Sequence, residues 1–138
     1  MTILVIDGQG GRLGQKLVES LRKSFPDAEL LAVGTNTVAT EAMLKAGADR
    51  AATGENAVVV SSRSADIIAG PLGIALADAL MGEITPVMAN AVASARAYRV
   101  LIPMNLCDTY VAGVEGSSTA IISDAVEHIK VLMGEARG

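Results

Sequence analysis

The chain is 138 residues long and 51% apolar, enough for one domain with a core that needs neither metal nor disulfide support. A formal charge of −4, with no basic run longer than Arg22-Lys23, argues against a nucleic-acid partner, which calls for a basic footprint. Phe25, Tyr98 and Tyr110 are the aromatic residues and Cys107 is the lone cysteine, which excludes an internal disulfide and a multi-cysteine metal site.

A first strand is expected over Thr2 to Asp7, so early that no signal peptide is expected before it. The helix after it carries Leu13, Leu17, Val18 and Leu21 on one face and Lys16, Glu19, Arg22 and Lys23 on the other, and Pro26 helps to end it. Glu29 to Val33 reads as the second strand, followed by the polar turn Gly34-Thr35-Asn36-Thr37. A second helix passes through Ala42, Met43 and Leu44 to Gly47, a residue suited to a left-handed C-cap. The third strand is short, near Asp49 to Ala52. After Gly54-Glu55-Asn56, the run Val58-Val59-Val60 favours strand on propensity, whereas the alternation of elements favours helix.

Ala65 to Ala69 is the expected fourth strand, ending in Gly70-Pro71-Leu72-Gly73, with a helix from there to Met81. Thr85-Pro86 has the hydroxyl cap and first-turn proline of a helix start. A fifth strand follows over Arg99 to Ile102, closed by Pro103, and a sixth over Tyr110 to Val114. Ser117 or Ser118 starts a final amphipathic helix running to about Met133. The most apolar stretch, Ile67 to Ala93, is broken by Asp78, Glu83, glycines and prolines, so no membrane span is expected and the chain reads as cytoplasmic.

Strands alternating with helices predict a single α/β domain over 1–138, a doubly wound, mainly parallel sheet with helices on both faces. Ligands of such sheets sit outside the carboxyl ends of the strands, at the switch point. The loop that leads there is Gly8-Gln9-Gly10-Gly11-Arg12-Leu13-Gly14, an apolar strand running into a glycine-rich turn and a helix. Glycines admit a close approach of backbone to a diphosphate, and free helix amides supply positive potential. The spacing is G-x-x-G-x-x-G through Gly8, Gly11 and Gly14, because Leu13 breaks the stricter pattern. It resembles the nucleotide loop of Rossmann-type NAD(P) enzymes, notably dihydrodipicolinate reductase-like proteins. The alternative is a tight turn whose glycines only allow helix and sheet to touch.

An NAD site places an acid at the end of the second strand, for the ribose, and Gly34-Thr35-Asn36-Thr37 offers none. NADP(H) is therefore favoured over NAD(H), with Arg12 positioned for the 2′-phosphate, while Asp7 stands beside the turn as an opposing charge or a turn brace. Thr35, Asn36, Gly70, Pro71 and Asn105 complete the expected cofactor-binding set at the same edge. Thr53, Glu55 and Asn56 offer polar groups or ordinary caps there, and Asp108 follows in the fifth loop. Cys107 has no nearby base to make it a nucleophile, His128 belongs to the final helix, and no spacing suggests a metal. The region Leu72 to Ala95, with Ile74, Leu76, Leu80, Met81, Val87, Met88 and Val92 among alanines, reads as a helix pair covered either by the core or by another subunit of a homo-oligomer. The second class of function is thus a homo-oligomeric structural or regulatory protein binding a non-dinucleotide metabolite at that edge.

The segments Asp7-Gly-Gln-Gly-Gly11, Gly34-Thr-Asn36, Ala46-Gly-Ala-Asp49, Thr53-Gly-Glu-Asn56, Gly70-Pro71, Gly82-Glu-Ile-Thr-Pro86 and Ile102-Pro-x-Asn105 together resemble a family of short bacterial proteins of unknown function. The resemblance covers nearly the whole chain. It implies a cytoplasmic, Rossmann-like single domain and carries over no catalytic residue.

Overall fold

The computed structural model describes residues 1–104 and 108–137. Strands β1 (Thr2–Asp7), β2 (Glu29–Gly34), β3 (Arg50–Thr53), β4 (Ile67–Pro71) and β5 (Tyr98–Ile102) form one sheet in the order β3-β2-β1-β4-β5, and every pairing is parallel. The helices are α1 (Arg12–Ser24), α2 (Thr37–Ala46), α3 (Glu55–Ser64), α4 (Pro86–Ala93) and α5 (Ser118–Arg137). From β1 the chain winds outward through α1 and α2 to β3, then returns across the sheet to β4 on the other side of β1. The switch point lies between β1 and β4, and the loops leaving their carboxyl ends face the expected crevice.

Strand alternation builds the two layers. Ile3 and Val5 point into a core with Leu17 and Leu21 of α1, Met43 of α2 and Ile129 of α5. Leu4 and Ile6 point into a second core with Val58 of α3 and Met88 and Val92 of α4. All four of these β1 side chains are fully buried, and each contributes about 1.5–3 kcal/mol relative to exposure, so β1 is the anchor of both cores. This is the doubly wound α/β fold that the alternation implies.

The segment 55–64 is helix rather than strand. The parallel strands β3 and β4, on opposite sides of β1, need a crossover between them, and a helix buries Val58 while leaving Val60 half exposed. Three other expectations fail. Tyr110 to Val114 forms no strand: Tyr110 is 89% exposed, and Gly113 and Gly116 have φ of 81° and 111°, turning the chain out of extended backbone. Gly70 and Pro71 belong to β4 itself. The β1 register stops at Ala69, so the missing N–H of Pro71 breaks no bond on that side, and Pro71 pairs only with Ile102. Nor does a helix run to Met81. A single 3-10 turn, Leu72–Ala75, gives way to a strap that closes on Ile84: the Asp78 amide donates to the Ile84 carbonyl at 2.7 Å, and the Ile84 amide to the Ala79 carbonyl at 3.1 Å. Ile84 is fully buried, and that anchor reverses the chain where a helix would carry it onward. Thr85 then caps α4, accepting from the Met88 amide at 3.1 Å, with Pro86 in the first turn.

At the amino ends of the strands one side chain ties four segments together. Arg22 Nε and Nη2 donate to the Gly47 carbonyl, Nη1 to the carbonyls of Pro26 and Ala28, and Nη2 to Asp49, all at 2.9–3.0 Å. Asp49 also accepts from the Leu30 amide at 2.8 Å; that bond and the guanidinium hold its carboxyl below the usual range.

Candidate functional site

The glycine turn after β1 is packed from inside. A Cβ on Gly8 would meet Thr35 Oγ1 at 2.7 Å and Leu80 at 2.9 Å, and one on Gly11 would meet the Ala39 backbone at 2.6 Å. Gly11 also has φ +71°, a backbone that glycine adopts without strain. On Gly14 a Cβ would strike Met43 at 2.6 Å and Asp7 at 2.8 Å. Leu13 is buried in the α1 core. Close packing therefore accounts for Gly8 against Thr35 and Leu80, Gly11 against α2, and Gly14 between α2 and β1, and the face left toward solvent is Gln9, Gly10 and Arg12. Nothing lies within 4 Å of where a Gly10 Cβ would stand.

Asp7 is the brace of this turn. Its buried carboxylate accepts from the Gly8 amide at 2.8 Å and the Gly14 amide at 2.7 Å. Burial pushes its carboxyl above the usual value, against the pull of those two amides, and the charge of Glu83 adds to the rise. The amides of Gly10, Arg12 and Leu13 donate to no group among the described residues, which leaves a short donor surface at the start of α1 beside the exposed Arg12.

Thr35 and Asn36 stand at the tip of β2, next to that turn. The Thr35 amide donates to the Asp7 carbonyl at 3.0 Å. Asn36 caps α2, accepting from the Ala39 amide at 2.9 Å through Oδ1, while its Nδ2 donates to the Gln9 carbonyl at 2.9 Å. Both side chains converge on a residue that sequence reasoning missed. Glu83, from the strap between β4 and α4, accepts from Thr35 Oγ1 at 2.5 Å and Asn36 Nδ2 at 2.8 Å on one oxygen, and from the Gln9 amide at 2.9 Å on the other. Its partial burial opposes ionisation, but the bonds from Thr35, Asn36 and Gln9 outweigh that and hold the carboxyl below its usual value. A charged acid inside the most apolar stretch of the chain is the signal that could have drawn attention to it.

This changes the electrostatics read from the sequence. No acid belongs to the end of β2, but the strap brings the carboxylate of Glu83 to that place, so the premise for preferring NADP(H) does not hold. Gly70 and Pro71 are buried in β4 and present nothing to the crevice. Asn105 and Cys107 lie outside the described residues. Thr53 bonds Thr40 at 2.6 Å, and Glu55 opens α3 from an exposed position, one strand further out. His128 is exposed on α5 and lies 3.2 Å from the Tyr98 hydroxyl, beside an open groove of about 450 Å³ between β5 and α5. That groove is two strands from β1 and lacks the convergent donors of the glycine turn, so its size does not make it the better site. Among the described residues no helix is long and apolar enough to cross a membrane.

A parallel sheet ordered β3-β2-β1-β4-β5, with a glycine turn after its central strand, defines a Rossmann-like α/β domain. The chain belongs to the family described as a domain of unknown function, DUF3842, whose model matches residues 2–134. No curated protein matches it. Among solved structures, it is similar to a dodecameric FMN-dependent UbiX-like decarboxylase from Escherichia coli O157:H7, with 16% identity, a TM-score of 0.49, and 97% of this chain and 94% of that one covered.

Proposed function

We propose that the protein binds a nucleotide, or a nucleotide-like phosphate-bearing metabolite, at the carboxyl edge of the sheet. One observation carries this reading: the Gln9 amide, the Thr35 hydroxyl and the Asn36 amide group converge on the Glu83 carboxylate at the ends of β1 and β2, beside amides at the start of α1 that donate to no group among the described residues. Phosphates fit the amides of Gly10, Arg12 and Leu13 with the Arg12 guanidinium, and the rest of the ligand lies toward Thr35 and Asn36. Fixed negative charge from Glu83 disfavours a second phosphate at the β2 tip, so NADP(H) is one member of the candidate class and not its leading one. The reading is one of binding: among the described residues no nucleophile with a neighbouring base is assembled at this edge.

Thermal unfolding with NADPH, NADH, ATP, FAD and S-adenosylmethionine tests the reading. A ligand at about 100 times its dissociation constant stabilises the fold by roughly 2.7 kcal/mol. No shift with any of the five sinks the proposal.

A second reading, assembly into a homo-oligomer, is supported by what the 72–95 region leaves outside. Ile74, Ile84, Met88, Ala89 and Val92 are buried in the domain's own core, but Met81 is 92% and Val87 51% exposed. A second copy covering those two side chains would account for them. Light scattering on the intact protein checks it, and a strict monomer rules it out.

A further inference from the structure

We propose that Glu83 is the ribose-binding and specificity-determining residue of this site: its carboxylate accepts from the 2′,3′-diol of a nucleotide whose 2′-oxygen carries no phosphate. This rests on the nucleotide reading above and adds to it which nucleotides are admitted. In dinucleotide-binding sheets the diol is held by an acid at the end of the second strand. Here β2 ends in Gly34 and passes to Thr35 and Asn36, and the acid reaches the same place from 47 residues beyond Asn36.

Its orientation is fixed from three sides. One carboxylate oxygen takes both Thr35 Oγ1 and Asn36 Nδ2, and the other takes only the Gln9 amide. A carboxylate has about four acceptor positions, so one remains on the oxygen bonded to Gln9. Thr35 gives its proton to Glu83 and keeps its own lone pairs, a second acceptor one bond away. Two adjacent acceptors match two adjacent hydroxyls, and the half-buried setting keeps Glu83 within reach of solvent. A 2′-phosphate meets the opposite situation. It would bring a second anion onto a carboxylate that already faces Asp7, with no cation bonded to Glu83 among the described residues.

The strap is built to deliver this side chain. Asp78, Leu80 and Met81 all hold φ between 55° and 67°, Gly82 has φ +87°, and Leu80 packs where a side chain on Gly8 would stand. Leu80 also packs against the core that Ile84 closes, so the strap is anchored on one side while it presents Glu83 on the other.

Calorimetric titration of the intact protein with ADP, 2′-deoxy-ADP and 2′-phospho-ADP, which share the same 5′-diphosphate, tests the assignment. ADP is expected to bind roughly tenfold more tightly than the deoxy analogue and roughly 100-fold more tightly than 2′-phospho-ADP. Glu83→Gln keeps the shape, removes the charge, and brings ADP and 2′-phospho-ADP to within a few-fold of each other. Equal binding of the three ligands by the unaltered protein overturns the ribose role while leaving nucleotide binding in place. Tighter binding of ADP, deoxy-ADP and inorganic pyrophosphate alike by Glu83→Gln also overturns it, since Glu83 would then be a plug on the phosphate site. Binding of none of the ligands removes the nucleotide reading and this assignment together. The series on unaltered protein decides the matter should the variant fail to fold.

Discussion

The two loops that meet at the switch point solve the same problem in opposite ways. After β1 the chain turns tightly, and at its left-handed corner it places Gly11, so the backbone is relaxed and helix α2 can approach to contact. After β4 the strap puts Asp78, Leu80 and Met81 in left-handed backbone, a conformation that costs side-chain-bearing residues roughly 1–2 kcal/mol each. Gln9, at φ +49°, is the one residue of the glycine turn that shares this strain, and it is also the one whose amide bonds Glu83. Strain and polar convergence thus fall together on one side of the crevice. The glycines serve packing, and the strained residues serve the placement of a carboxylate.

Substitutions can break or sharpen that contrast. Gly11→Ala should be the most damaging, losing roughly 2–4 kcal/mol in urea unfolding from left-handed strain plus collision with Ala39. A change within experimental error would mean that the turn is not clamped by α2. Glu83→Ala should cost about 1–2 kcal/mol, since it unpairs three donors that water can partly serve.

The pH dependence separates the two acids. Glu83 has its folded value below the ordinary 4.5, so its contribution is present above that pH and is lost as the pH falls through the folded value. Asp7 is raised above the ordinary 3.8, so its share has the opposite sign: stability declines as the pH rises from 3.8 through the folded value. Glu83→Gln should therefore flatten the acid limb of a urea-midpoint profile, and an unchanged limb would place its origin elsewhere, with Asp49 as the next group to examine.

Met81→Gly should move stability the other way. It relieves φ +55° at a side chain that is 92% exposed, a gain of about 0.5 kcal/mol after the added freedom of the unfolded glycine. Destabilisation instead would indicate that Met81 is covered in solution. The smallest effect belongs to Gly10→Ala, within about 0.5 kcal/mol, because its Cβ enters open space one residue from the position where the same change is severe.

What could be read in advance follows from where the determining contacts lie. α1 is legible because it carries its own period, Leu17, Val18 and Leu21 against the outward Lys16 and Glu19, and β1 and β2 because they are apolar runs bounded by turn residues. The α3 segment was ambiguous because its three valines favour strand locally, while the parallel crossover is a property of the whole sheet. The strap reads as helix in the sequence because Leu76 and Leu80 stand at helical spacing, whereas burial of Ile84 decides the path. Glycine turn, Thr35 and Asn36 were legible as one edge, since each follows a strand end. Glu83 was not, because 74 residues separate it from the amide it bonds, and no local pattern encodes that pairing.

Arg22 gives the molecule a polarity along its strand axis. At the amino end a single guanidinium fastens the ends of α1 and α2 to the segments that lead into β2 and β3, through five bonds to carbonyls and a carboxylate. At the other end the loops rest on two acids, the buried Asp7 within the glycine turn and the half-buried Glu83 that joins it to the β2 tip. Amide exchange should accordingly proceed from the carboxyl side inward, with Gln9 and the strap exchanging well before Leu30, whose amide is closed by Asp49. On that expectation the domain is a book bound at its amino edge, whose pages part on the side of the proposed site.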